Sequence, residues 1–217
     1  MCGIFGSTNF GKYAKLYSEN CKRGTFAYGH LFIGNGDIHI RKSEGVCDHR
    51  DDFERSEEYR LFLGHTQAPT SCERQYQPRT SHPFEVGNFI VAHNGVLENH
   101  KKLSDRYLKY PPTFNVDSGY IPALLDESYN GDDVNTISEM MSEIEGTFGC
   151  WIFSKHTYQT YIVRSGSTLY GNISSGEFSS SKIPECETVL NEGIIYCVTP
   201  EGLTSVGDFK VNSQFFI

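Results

Sequence analysis

Met1-Cys2-Gly3-Ile4-Phe5-Gly6 opens the chain and governs how the rest is read. A side chain as small as that of Cys2 permits trimming of the initiator. A mature chain of residues 2–217 would then carry a thiol and a free α-amine on one carbon. That amine has an ordinary pKa of about 7.7–8.0, and a chain-terminal amine is one of the bases that activate a weak nucleophile. The alternative is structural. Ile4 and Phe5 suit the buried start of a first strand, and free cysteine is among the most buried residue types. The neighbouring segments bear on the choice.

The 217 residues suffice for one large domain or two small ones with a sizeable core. Hydrophobic residues at 38% and aromatics at 13% mark a globular chain and exclude a disordered one. Nineteen basic residues against 27 acidic give a net charge of −8, with no Lys or Arg run. Direct binding of nucleic acid or an anionic membrane is therefore not expected. No basic-then-apolar leader and no apolar run of membrane-spanning length is present, so the expected setting is cytoplasmic. Seven cysteines stand at 2, 21, 47, 72, 150, 186 and 197, odd in number and without a CxxC pair. A reduced compartment fits them, with the six other than Cys2 serving as small buried hydrophobes. The spacing of His65, His82, His93 and His100 matches no zinc pattern, and no metal is expected. No cysteine has the local signature of a papain-type Cys–His pair.

Asn35-Gly36 within 31–40 predicts a hairpin. Residues 61–66 and 89–93 read as strands, the second stopped by Asn94-Gly95. Helices are expected over 98–108, over 118–127 with Asp117 as its cap, and around Val134, Ile137, Met141 and Ile144 up to Gly146. Residues 147–153, 158–163 and 194–198 are rich in β-branched and aromatic residues and read as strands. Strands, then helices, then strands predict an α+β layered domain. Polar strand ends would bring Thr66 and Asn94 near Cys2.

Several segments carry chemistry. Gly64-His65-Thr66-Gln67-Ala68-Pro69-Thr70 ends a strand in polar groups, as a substrate cradle or as a turn. Asn94 offers a side-chain N–H and Gly95 a backbone N–H, which suits an oxyanion hole; the alternative is a plain Asn-Gly turn like Asn35-Gly36. Asp117 suits a helix N-cap or a partner for a substrate ammonium. Arg23, in Cys21-Lys22-Arg23-Gly24, is either a solvated charge beside a turn or a neighbour that favours the thiolate.

In this order, the segments resemble the class II glutamine amidotransferases of the N-terminal-nucleophile hydrolase superfamily. The likeness rests on Met1-Cys2-Gly3-Ile4-Phe5-Gly6, Arg23-Gly24, Gly64-His65-Thr66, Thr70, Ser81-His82-Pro83 and His93-Asn94-Gly95 with Leu97-Glu98-Asn99-His100. Asp117, Glu145-Gly146-Thr147-Phe148, Arg164-Ser165-Gly166-Ser167 and Phe178-Ser179-Ser180-Ser181 complete it. It covers nearly the whole chain, as a single domain 1–217. The resemblance implies a four-layer αββα sandwich and hydrolysis of the glutamine side-chain amide through a thioester on Cys2. It implies that the Cys2 amine is general base and acid, that Asn94 and Gly95 hold the oxyanion, and that Arg23 supports the nucleophile. It further implies that Asp117 binds the α-amino group of glutamine, that Thr70 lines the site and that His82 lies near it. No cofactor is implied.

Two positions depart from the family pattern. Gln67 stands where an arginine usually pairs with the substrate α-carboxylate, a contact that a neutral amide does not reproduce. Either Arg79 or Arg74 substitutes, or glutamine binds weakly, or the substrate is another amide. Ser118-Gly119 is a milder departure. The acceptor of the ammonia is expected on a separate synthetase or acceptor-domain chain, and a phage-encoded protein in a host cytoplasm fits the same reading. The competing readings are a hydrolase of another small amide or γ-glutamyl compound, and a non-catalytic regulatory subunit retaining the fold.

Overall fold

In the computed structural model, residues 1–68, 75–112 and 116–212 are described, apart from the side chains of residues 51 and 53. The first strands are β1 (Gly3–Ser7), β2 (Ala27–Gly34), β3 (Ile38–Glu44) and β4 (Tyr59–Gln67), with α1 (Phe10–Cys21) after β1 and α2 (Arg50–Glu54) before β4. Next come β5 (Phe84–Val86), β6 (Phe89–Leu97), α3 (His100–Tyr107), α4 (Tyr120–Glu127) and α5 (Asp133–Glu143). The chain continues through β7 (Gly146–Ser154), β8 (Gln159–Ser165), β9 (Tyr170–Gly171), β10 (Phe178–Ser179), β11 (Thr188–Val189), β12 (Ile194–Thr199) and β13 (Gly202–Asp208).

These elements form two compact units. The first holds Met1–Pro83, Leu169–Val189 and Thr199–Leu203; the second holds Phe84–Thr168, Leu190–Val198 and the residues from Thr204 onward. Each is built on an antiparallel sheet, in the orders β11-β9-β10-β1-β4-β2-β3 and β13-β12-β8-β7-β6-β5. The α+β class with two sheets is as expected.

In the first unit, α1 lays Phe10, Tyr13, Leu16 and Tyr17 against Phe5, Tyr28, Phe32 and Phe62 of the sheet. These positions recur three and four apart, which puts them on one helical face. Asn9 caps α1 by accepting from Lys12 N. In the second unit, Ile121, Leu124, Leu125, Ile137, Met140 and Met141 of α4 and α5 pack on Phe89, Val91, Phe148, Cys150, Ile152 and Val163. Burying each such side chain contributes about 1.5–3 kcal/mol.

Three expectations need correction. First, α1 was not predicted, although Asn9 and the aromatic spacing after it signal a helix. Second, Asn94-Gly95 does not stop a strand. β6 continues to Leu97, paired with β7 through Asn94↔Gly149, Gly95↔Phe148 and Leu97↔Gly146. Gly95 allows this at φ +149, where a Cβ would lie 1.9 Å from the Thr147 carbonyl oxygen. Third, Asp117 does not cap α4. It begins a 3-10 turn, Asp117–Gly119, and its carboxylate accepts from Leu97 N at 2.9 Å and Ser118 N at 2.8 Å.

Candidate active site

In the first unit, Cys2 stands half-buried immediately ahead of β1. β1 is held on both sides, by β4 through Gly3↔Thr66 and by β10 through Phe5↔Ser179. Thr66 is thus beside β1, one residue from Cys2 in register. Ser180 adds a further tie: Ile4 N donates to Ser180 Oγ at 3.0 Å, and Ser180 N donates to Ile4 O at 2.9 Å.

Arg23 fixes the strand's entry. Its Nε donates to the Cys2 carbonyl at 2.7 Å and one terminal nitrogen donates to the Ser180 carbonyl at 3.2 Å. The Met1 amine in turn donates to the Arg23 carbonyl at 3.3 Å. Burial lowers the Arg23 guanidinium, and the charge of Cys2 opposes that shift. Gly3 leaves no room for a side chain: a Cβ would lie 2.5 Å from Asn20 Oδ1 and 2.9 Å from Thr66 Oγ1. Asn20 is itself locked, donating to Leu16 O and Ser179 Oγ, both at 2.8 Å. Asn20, Ser179 and Ser180 were not assigned roles from sequence, because the bonds that join Asn20 to Ser179 and Ile4 and Arg23 to Ser180 span more than 150 residues.

Gln67 is the last residue of β4 and is 3% exposed. Arg79 lies in the 3-10 turn Pro78–Thr80, exposed, with Nε donating to Gln77 Oε1 at 3.3 Å. His82 is buried and stacks on His65, ring centroids 3.9 Å apart. Thr70 and Arg74 lie outside the described residues.

In the second unit, Asn94 and Gly95 sit side by side on β6, and Ser167 Oγ donates to the Asn94 carbonyl at 3.1 Å. Asp117 joins the same strand through Leu97 N. Behind them, His93 Nδ1 meets Ser118 Oγ at 2.9 Å, and Ser118 Oγ lies 3.3 Å from Asp117 Oδ1. Burial pulls the His93 imidazole down to about 4, against the attraction of Asp117. Ser118, read from sequence only as a departure, is the link between these two groups. Asn99 locks the strand end, donating to Glu143 O at 2.8 Å and accepting from Glu145 N at 3.0 Å.

Cys2 and Cys21 are half-buried, whereas Cys47, Cys150, Cys186 and Cys197 are buried. Cys150 and Cys186 are fully buried, and burial pushes both thiols up, Cys186 to about 12. Burial likewise raises Cys21 and pushes Cys197 up to about 11. Thiols held protonated in this way are poor nucleophiles. No disulfide involves Cys2, Cys21, Cys47, Cys150, Cys186 or Cys197.

The glutamine amidotransferase domain family matches residues 65–180, just over half of the chain. That span contains Gln67, Arg79, His82, Asn94, Gly95 and Asp117, and lies downstream of Cys2 and Arg23. The isomerizing glutamine–fructose-6-phosphate aminotransferase of Caldanaerobacter subterraneus subsp. tengcongensis is 27% identical over 194 residues, 85% of this chain and 32% of the relative. The 7-cyano-7-deazaguanine synthase of Sulfolobus acidocaldarius is 28% identical over 125 residues, 57% of this chain and 25% of the relative. The chain therefore spans about a third or less of these curated relatives. Among solved structures, the glutamine phosphoribosylpyrophosphate amidotransferase of B. subtilis superposes with a TM-score of 0.71 at 16% identity, covering 95% of this chain and 49% of that one. At that identity the likeness is one of fold.

Proposed function

We propose that this chain, which belongs to the glutamine amidotransferase domain family, hydrolyses the side-chain amide of glutamine with Cys2 as its nucleophile. The observation that carries the reading is the clamp of Arg23 on the carbonyls of Cys2 and Ser180, which fixes a half-buried cysteine at the head of a doubly paired strand. Positioning of this kind is what converts a thiol into an efficient attacking group.

With Met1 removed, the Cys2 α-amine takes the thiol proton as sulfur attacks the amide carbon. The tetrahedral intermediate places its negative oxygen against the Asn94 side-chain N–H and the Gly95 N–H. The amine returns the proton to the leaving nitrogen, ammonia departs, and a γ-glutamyl thioester remains. Water, deprotonated by the same amine, then releases glutamate and restores the thiol. Asp117 binds the substrate ammonium, His82 borders the glutamine site, and Arg79 supplies the cation that Gln67 lacks. The ammonia passes to an acceptor site outside these 217 residues. The relatives' names differ in the compound they name beside the amide chemistry, fructose-6-phosphate in one and 7-cyano-7-deazaguanine in the other.

Gln67 motivates a second reading, in which the substrate is an amide without an α-carboxylate. Ammonia release decides between them, measured with glutamine and with an analogue lacking that carboxylate. Cys2→Ala should abolish release from glutamine. Arg79→Ala should raise KM for glutamine by about tenfold, since a charge-assisted hydrogen bond is worth about 1.5–3 kcal/mol, and leave the analogue unchanged. Equal kcat/KM for both compounds in the wild type would favour the second reading.

A further inference from the structure

Four side chains that the proposed chemistry does not use meet in the core of the first unit. His30 comes from the middle of β2, Cys47 and His49 from the segment between β3 and α2, and Asp52 from α2. One donor atom from each of His30, Cys47 and His49 lies within 4.8 Å of the other two. Both imidazoles are already oriented through one nitrogen. His30 Nδ1 bonds the Tyr13 hydroxyl, and His49 Nδ1 bonds Asp52 Oδ2 at 3.1 Å. The other nitrogen, Nε2, is buried in both rings and makes no hydrogen bond. His30 is 1% exposed, so bulk solvent does not reach it. A buried polar atom without a partner calls for an explanation, such as an ion.

We propose that His30, Cys47 and His49 bind a zinc ion, through the two Nε2 atoms and the Cys47 sulfur. A mixed imidazole and thiolate set selects zinc over magnesium or calcium, which take oxygen ligands. A metal-bound histidine ordinarily donates its second nitrogen to a carboxylate or other fixed acceptor, which is the part Asp52 plays for His49. Around tetrahedral zinc, ligand atoms sit roughly 3.3–3.8 Å apart, given bonds of about 2.0–2.3 Å. On binding, the Cys47 thiol releases its proton to solvent as the sulfur–metal bond forms, with no change of oxidation state.

The ion has structural work there. Cys47 and His49 stand in the irregular segment after β3, tied to α1 through Cys47 N and the Tyr17 hydroxyl at 2.6 Å. A metal bound to His30 as well would pin that segment onto β2. Cys47-Asp48-His49 with a single distant histidine matches no linear zinc pattern; the fold brings the three together.

The test uses the full chain. Purified from zinc-containing medium, it should hold about one zinc per chain and release about one proton per ion on loading. Zinc content should fall by about tenfold or more in Cys47→Ala and His49→Ala, and Asp52→Asn should weaken affinity by about 10–100-fold. Cobalt(II) added to metal-stripped wild type should produce a thiolate charge-transfer band that zinc abolishes and that persists in Cys2→Ala. The cobalt result stands even where a Cys47 variant fails to fold. No band in wild type, or zinc retained in folded Cys47→Ala, would overturn the proposal.

Discussion

Asn94 carries two duties, and they are separable. Its backbone carbonyl accepts from Ser167 and its backbone keeps the ladder with β7, while its side-chain amide is proposed to meet the oxyanion. Asn94→Ala keeps the backbone duties and removes the side-chain donor. Steady-state kinetics should then show kcat lower by about 10²–10³ with little change in KM, because the contact strengthens in the transition state. A change confined to KM would mean that Asn94 binds ground-state substrate. His93, one residue away, has a consequence for stability. Its imidazole titrates near 6.5 when unfolded but is pulled down to about 4 in the fold by burial. Between these values the unfolded chain takes up the proton and the folded chain does not. Stability is therefore complete above about pH 6.5 and is lost as the pH falls toward 4, by about 2 kcal/mol between pH 7 and pH 5. Urea midpoints at the two pH values should show this slope in the wild type and a shallower one in His93→Gln. An unchanged slope would place the acid sensitivity elsewhere.

At the scale of elements, α5 is fastened to its sheet by a charge as well as by apolar packing. Asp133, in the first turn of α5, is buried and accepts from Ser154 Oγ at 2.9 Å, Tyr161 OH at 3.2 Å and Thr157 Oγ1. Asp133→Ala strands three hydroxyls and should lower stability by about 3 kcal/mol in urea unfolding, while Tyr161→Phe removes one contact and should cost about 1 kcal/mol. A loss below about 1 kcal/mol for Asp133→Ala would show that water replaces the carboxylate. The elements also show where sequence is legible. α5 is readable because Ile137, Met141 and Ile144 repeat at helical spacing, and β7, β8 and β12 because β-branched and aromatic residues dominate them. The hairpin of β2 and β3 follows from Asn35-Gly36, with Gly36 at φ +87. Asn94-Gly95 misleads because the same dipeptide serves a paired strand when a neighbouring carbonyl leaves no room for a Cβ. Asp117 misleads because one of its oxygens goes to Leu97, twenty residues away, and the other to Ser118 in its own 3-10 turn, so neither caps α4. Local pattern reports periodicity and turns; it does not report which distant donor claims a carboxylate.

At the scale of the whole molecule, the chain alternates between two units, each with its own sheet and core. The first unit carries Cys2, Arg23, Gln67, Arg79 and His82, and the second carries Asn94, Gly95 and Asp117. The resemblance that named these residues was legible because short polar motifs recur in a fixed order. The polar contacts of Asn20, Ser180, Ser118 and Asn99 were not, since each joins residues far apart in sequence. The residues matched by the family begin at 65, so the role of Cys2 is the claim that most needs a direct measurement. No helix among the described residues is long and apolar enough to cross a membrane. The measurement is peptide mapping by mass spectrometry after inactivation with 6-diazo-5-oxo-norleucine, a glutamine-like electrophile. The account predicts a single adduct on Cys2, in a chain that has lost Met1 and has a free amine, with loss of ammonia release in proportion to labelling. An adduct on any of the other six cysteines, or full activity in a chain that retains Met1, would contradict it.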